Sequence, residues 1–222
     1  MNYRVNDVYT AIQGEGCQTG TPMVLLRLHG CSVGCPWCDT KETWQADPAN
    51  AYASIAEARG PNARYAIASA HAIAQHIRLQ HPGPSWVLLT GGEPAEQGLG
   101  PLVEALHDAG YQVAIETSGT APGLLLAECD WVCVSPKIDM PGRRAILPEV
   151  LALADEIKMV VGKAADIEKL ESLLHDHPTK PGVQICLQPL SQHERATQLC
   201  IETVQARGWR LSVQLHKLLR LP

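Results

Sequence analysis

The stretch MVLLRLHGCSVGCPWCDT, residues 23–40, joins an apolar run to a tight loop that carries three cysteines. Met23–His29 reads as a β-strand, because it is short, apolar and bounded by turn-forming residues. After it, Cys31, Cys35 and Cys38 follow a C-x3-C-x2-C spacing among Gly30, Gly34 and Pro36. Cysteine thiolates are the usual ligands of iron–sulfur clusters, and close spacing with small residues lets the backbone wrap around a compact inorganic core. Three cysteines hold three irons of a [4Fe–4S] cluster and leave the fourth open to bind a ligand directly. Structural zinc normally takes four protein ligands in two separated pairs, and no matching fourth ligand lies nearby, so the spacing favours a cluster.

Downstream of this loop, apolar runs alternate with helical patterns. Further strands are expected at Trp86–Thr90, Gln112–Glu116, Trp131–Val134, Glu156–Val160, Val183–Gln188 and Leu211–Gln214. Helices are expected near His71–Gln80, Leu102–Ala109, Leu147–Ala154, Ile167–Asp176 and Glu194–Ala206. Continuous apolar strands suit a parallel sheet covered on both faces, and the alternation implies βα units with right-handed crossovers. The expected fold class is α/β, a partial, open barrel of about six parallel strands with outer helices, too few strands for a closed eight-stranded barrel. No repeat or heptad is present. One domain over residues 1–222 is expected, with 45–64 an irregular insertion rich in Ala, Pro and Asn.

With 222 residues, 45% hydrophobic and 18% charged, the chain can bury a sizeable core. A net charge of -5 gives no electrostatic reason to expect a nucleic-acid partner. The first residues lack the pattern of a secretory signal, and no apolar run is long enough to span a bilayer, so a cytoplasmic location without membrane partners is expected. Eight cysteines, three of them crowded between 31 and 38, read as reduced thiols rather than a disulfide framework. Cys17, Cys129, Cys133, Cys186 and Cys200 read as small buried hydrophobes, with a second cluster on Cys129 and Cys133 a weaker alternative.

In α/β sheets of this kind, ligands bind beyond the carboxyl ends of the strands. There the sequence puts Thr90, Gly91, Gly92 and Glu93, then Glu116 and Ser118, then Ser135, Pro136 and Lys137, then Gln188, Pro189, Leu190 and Ser191. Glycines allow backbone to approach a ligand closely, and the polar groups could hold hydroxyls and a carboxylate. Strand alternation places Arg27 and His29 on the face leading to Cys31, with Leu26 and Leu28 opposite. Arg27 could meet a ligand carboxylate through both guanidinium nitrogens or form an internal ion pair, and the residues alone leave that choice open.

The motifs AIQGEG (11–16), RLHGCSVGCPWCDTK (27–41), TGGEP (90–94), ETSGT (116–120), SPK (135–137) and RLSVQLHK (210–217) together closely resemble the 7-carboxy-7-deazaguanine synthases, a family of radical S-adenosylmethionine (SAM) enzymes of queuosine biosynthesis and hence tRNA modification. The resemblance runs almost end to end. It implies a lyase converting 6-carboxy-5,6,7,8-tetrahydropterin to 7-carboxy-7-deazaguanine, with a [4Fe–4S] cluster on Cys31, Cys35 and Cys38. It further implies SAM contacts from Trp37, Cys38, Asp39, Gly92, Ser135, Pro136, Lys137 and Gln188, Pro189, Leu190 and Ser191. Ile12, Gln13, Gly14, Arg27, Thr90 and the terminal carboxylate of Pro222 are implied as substrate-binding, and Thr40 as a Mg2+ ligand. A homodimer and an electron donor such as flavodoxin or ferredoxin are also implied. The C-x3-C-x2-C spacing matches the members with a short loop.

Two other readings share the cysteines. A glycyl-radical activase would need a surface for a large protein, whereas AIQGEG and Arg27 argue for a small substrate. A non-catalytic iron–sulfur or zinc protein would have no reason to leave an iron open and would not cleave SAM.

Overall fold

Along the first strand, Tyr3, Val5 and Val8 are buried, Asn6 is buried beside Val5, and a register shift between Val5 and Asp7 brings Val8 back to the inward set. The structure is a computed structural model that describes residues 1–57, 63–124 and 128–219. In chain order its strands are β1 (Asn2–Ile12), β2 (Pro22–Leu28), β3 (Ala51–Tyr52), β4 (Tyr65–Ser69), β5 (Trp86–Gly91), β6 (Gln112–Thr117), β7 (Trp131–Val134), β8 (Glu156–Val161), β9 (Gln184–Pro189) and β10 (Arg210–Leu211). The helices are α1 (Ala70–Gln80), α2 (Gly100–Asp108), α3 (Pro148–Leu151), α4 (Ala164–Asp176), α5 (Glu194–Arg207) and α6 (Leu215–Leu219).

Among the described residues, the ten strands form one open sheet in the order β10-β9-β8-β7-β6-β5-β2-β1-β4-β3. Pairing is parallel from β2 through β5, β6, β7, β8 and β9 to β10, which gives the expected six parallel strands plus a two-residue edge. On the other side β1 runs antiparallel to both β2 and β4. One face of the parallel strands, with Val24, Leu26, Leu28, Val87, Leu89, Val113 and Ile115, packs with Ile73 and Ile77 of α1 and Leu102 and Leu106 of α2 in a single apolar core. Each such side chain contributes about 1.5–3 kcal/mol when fully buried. The opposite, inner face starts with a small cluster of Met23, Leu88 and Ala114. Above that cluster the inner face turns polar, and the chemistry-bearing residues stand there.

Several expectations need correction. No strand is expected before Met23, yet β1 spans eleven residues. Its alternation is interrupted by the polar Asn6–Asp7 pair at the irregularity, which hides the period. The segment 45–64 is only partly irregular: Asp47 caps a short 3-10 turn at Pro48–Asn50, β3 pairs with β4, and Ile55 reaches the core. The expected helix Leu147–Ala154 contracts to α3, which begins at Pro148, where proline suits the first helical position, and gives way to a turn after Leu151. The expected strand Leu211–Gln214 contracts to β10, because the side chains of Ser212 and Gln214 turn inward to bond Gln188 and Glu15.

Candidate functional site

The cavity at the carboxyl ends of the parallel strands has a volume of about 250 Å3. Cys31, Cys35 and Cys38 form one wall. Their loop leaves β2 through Gly30, whose φ of 112° lies in the region only glycine adopts freely, and bends again at Gly34 with φ 73°. Cys38 N donates to Cys35 O at 3.0 Å, which folds the Cys35–Cys38 segment into a turn. Thr40 N donates to Cys38 Sγ at 3.4 Å.

The two glycines of TGGEP bring β5 against this loop. Gly92 N donates to Leu28 O and Glu93 N to Gly30 O. A Cβ on Gly91 would strike the Leu28 backbone, and one on Gly92 the Gly30 carbonyl and Cys31. Glu93 is then buried beneath the loop. Its carboxylate accepts from Thr117 Oγ1 at 2.6 Å, Ser118 N at 2.7 Å and Ala95 N at 3.0 Å, tying TGGEP to ETSGT. Burial raises this carboxyl above its ordinary value, against the lowering effect of those bonds.

Burial likewise raises the thiols, Cys31 to about 11 and Cys35 in the same direction. Binding as thiolates therefore requires the iron itself to displace the protons. Among the described residues, the three thiol or carboxylate groups that converge within 4.8 Å are Cys17, Glu156 and Cys186. Cys31, Cys35 and Cys38 do not converge on one point in that way. A loop of separated thiols facing one cavity fits corner irons of a cluster better than a single ion.

Opposite the thiols, Ser135 and Lys137 follow β7, with Lys137 Nζ donating to Ser135 Oγ at 2.5 Å. Burial lowers the Lys137 ammonium from its ordinary value. Gln188, Pro189, Leu190 and Ser191 close the rim, and Ser191 holds φ at 51°, a left-handed backbone uncommon outside glycine. Such strain is often found where a side chain must be held for binding.

Deeper in, Lys158 of β8 is almost fully buried, with its ammonium 2.7 Å from Glu15 Oε2 and 3.0 Å from Glu116 Oε1. Gln214 donates to Glu15 and Gln13 donates to Glu116, so the array is fully engaged. Burial by itself would raise the Glu15 carboxyl, but the charge and hydrogen bond of Lys158 outweigh it and hold it at about 2.

Of the residues singled out in the sequence, Cys31, Cys35, Trp37, Cys38, Asp39, Thr40, Thr90, Gly92, Ser135, Lys137 and Gln188, Pro189, Leu190 and Ser191 line the cavity. Glu93, Glu116 and Ser118 line it as well. Ile12, Gln13, Gly14, Arg27 and Pro136 stand outside that lining: Ile12 is 44% exposed, and Arg27 donates to Tyr9 Oη at 3.2 Å. Gly14 accepts from Leu215 N and lets His216 pack where a side chain would stand. Pro222 lies outside the described residues. His29 does not share the site with Arg27, because the strand ends at Leu28; the ring is fully buried, stacked on Tyr65 and bonded to Gln45 O.

Sequence reasoning missed Lys158, Gln214 and Lys217, which also line the cavity. The signal for Lys158 was available: a lone lysine inside the apolar run EIKMVV requires a buried counter-charge.

A partial parallel barrel with a three-thiol loop after its first parallel strand, facing polar groups at the ends of the later strands, defines the class of the radical SAM enzymes. No family model matches the chain. It is 43% identical over 224 residues to the 7-carboxy-7-deazaguanine synthase of Escherichia coli K12, with both chains covered in full. It is 31% identical to the synthase of Synechocystis, covering 99% of this chain and 93% of that one. The crystal structure of QueE from Escherichia coli superposes with a TM-score of 0.91 at 40% identity, covering 97% of this chain and 95% of that one. The chain belongs to the 7-carboxy-7-deazaguanine synthase family, and it is an enzyme of that kind. Membership implies a [4Fe–4S] cluster and SAM. Among the described residues no helix is long and apolar enough to cross a membrane.

Proposed function

We propose that this enzyme converts 6-carboxy-5,6,7,8-tetrahydropterin to 7-carboxy-7-deazaguanine with loss of ammonia. The observation that carries the reading is the pairing of a thiol-lined wall with the polar strand ends across one cavity of about 250 Å3, in a chain of this family. Bound to Cys31, Cys35 and Cys38, the cluster would supply the electron that opens SAM to a 5′-deoxyadenosyl radical, which removes the substrate's C6 hydrogen. The chain's own groups bind, orient and exclude water.

In this reading Trp37 and Asp39 on the loop, Gly92, Ser135 to Lys137 and Gln188 to Ser191 hold SAM. Gly92, lacking a side chain, leaves its backbone free to approach the methionyl part. The partly desolvated Lys137 and the hydroxyl of Ser135 suit its carboxylate. Ile12, Gln13, Gly14, Arg27 and Thr90 hold the pterin. Thr90 lies in register with Arg27 on the neighbouring strand, so the two side chains share one face of the sheet. Thr40 contributes its hydroxyl to a Mg2+ that also takes substrate oxygens and water, since one neutral ligand holds magnesium poorly. The protein works as a cytoplasmic homodimer and takes electrons from flavodoxin or ferredoxin.

The test is an anaerobic assay of reconstituted protein with dithionite, SAM, Mg2+ and the carboxytetrahydropterin, read by mass spectrometry of the product. Deazaguanine lost on Cys35→Ala supports the reading. SAM cleavage without deazaguanine refutes the substrate, and no cleavage refutes the mechanism.

A further inference from the structure

A second group of metal-ligand side chains lies below the cavity, at the amino-terminal end of the parallel strands. Ile12 of β1 pairs with Pro22 at the start of β2, so the connecting loop, residues 13–21, crosses this end of the sheet. The loop reaches β8 and β9. Cys17 N donates to Glu156 Oε2 at 3.0 Å, and Gly16 N donates to Ser212 Oγ at 2.9 Å. Gly16, at φ 66°, presses directly on the Glu156 carboxylate where any side chain would collide.

Cys17 Sγ and Cys186 Sγ stand 3.6 Å apart, and both lie within 4.8 Å of a Glu156 carboxylate oxygen. Glu156 is 2% exposed, yet its Oε1 has no hydrogen-bond partner. A buried, unanswered carboxylate oxygen is costly, and thiols are weak donors that satisfy it poorly. The buried Lys158 is already held by Glu15 and Glu116, and Arg210, whose charge reaches Cys17, is exposed. These observations point to a missing positive charge.

We propose that Cys17, Glu156 and Cys186 bind one thiophilic divalent cation, best matched by Zn2+, separate from the iron–sulfur cluster. At a Zn–S distance of about 2.3 Å, two thiolates on a tetrahedral ion stand about 3.8 Å apart, close to the spacing here. The carboxylate supplies the third ligand, and Cys17, partly exposed, leaves room for water as the fourth. A disulfide accounts for less: the sulfurs would have to close to about 2.05 Å, and Glu156 Oε1 would stay unanswered. The ion pins the 13–21 loop, which carries Glu15 to the cavity and Gln13 to its bond with Glu116, to the edge of the sheet where the barrel is open. The site stands whether or not the proposed substrate is right.

The test is anaerobic native mass spectrometry of the cluster-loaded, full-length chain with added zinc chloride, with iron and sulfide counted so that vacant cluster cysteines do not take up the metal. The wild type should carry one zinc beyond its cluster, and so should Cys129→Ser. The double variant Cys17→Ser/Cys186→Ser should carry none. Glu156→Gln, which keeps both thiols and the side-chain shape, should weaken zinc affinity by about tenfold or more. Zinc-edge X-ray absorption on the wild type should show two sulfurs with oxygen as the remaining ligands. Zinc absent from the wild type, retained at full affinity by the double variant, or replaced by a Cys17–Cys186 disulfide that accounts for both thiols would overturn the proposal.

Discussion

Replacing Lys158 with methionine should cost the protein a large part of its stability without changing its shape. The ammonium is almost completely buried and neutralises Glu15 and Glu116, whose side chains are 18% and 23% exposed. Removing one partner of a buried ion pair while leaving the others typically costs about 3–5 kcal/mol, roughly a fifth or more of the 5–15 kcal/mol that holds a domain together. The carboxyl of Glu15 gives an independent figure. Its fall from 4.5 to about 2 corresponds to about 3 kcal/mol of stabilisation of the charged form at neutral pH. Because the folded value is the lower one, this stability is present above pH 4.5 and is lost as pH falls toward about 2. Denaturant unfolding of the anaerobic protein at pH 7 should therefore show Lys158→Met about 3 kcal/mol less stable than wild type. Its stability should also fall less steeply than wild type's between pH 4.5 and the acid limit. Adding Glu15→Gln and Glu116→Gln should recover part of the loss, since two uncompensated charges disappear with them. A Lys158→Met protein within about 1 kcal/mol of wild type, or one not helped by the added glutamines, would show that solvent, not Lys158, compensates these carboxylates.

Three further outcomes follow from the same geometry. Gly92→Ala should fold but bind little iron, measured as iron per chain and cluster absorbance, because the new methyl would meet the Gly30 carbonyl and Cys31. Glu93→Gln should destabilise by about 1–3 kcal/mol in denaturant unfolding, because its amide would face the donors Thr117 Oγ1, Ser118 N and Ala95 N with one acceptor too few. The metal-free, reduced protein should lose thermal stability as pH rises. Burial, helped by Asp130, pushes Cys129 up to about 12, and burial pushes Cys200 to about 11, from 9.0. Unfolded thiols thus ionise first, and the stability present below pH 9.0 drains away through the folded values. A melting temperature unchanged between mildly and strongly alkaline buffer would contradict that burial.

The cluster loop and the strand ends were legible in the sequence because they rest on local chemistry. Cysteine spacing with Gly30 and Gly34 dictates a wrapped loop. Apolar strands of the Trp86–Gly91 kind, each ended by Gly, Ser or Pro, mark the edge where ligands bind. Strand β1 was not legible, since the polar pair Asn6–Asp7 interrupts its alternation, and only pairing with β2 and β4 makes eleven such residues a strand. The boundaries of α3 and β10 also depended on neighbours.

What the sequence determined by itself was therefore a parallel α/β sheet carrying three clustered thiols, because periodicity and spacing are properties of adjacent residues. Which distant residues meet was decided by the tertiary structure alone. Lys158 joins Glu15 and Glu116 across 143 and 42 positions, and Cys17 meets Cys186 across 169. Those partners are chosen by strand order and by the path of one loop across the open barrel, neither of which any local pattern encodes.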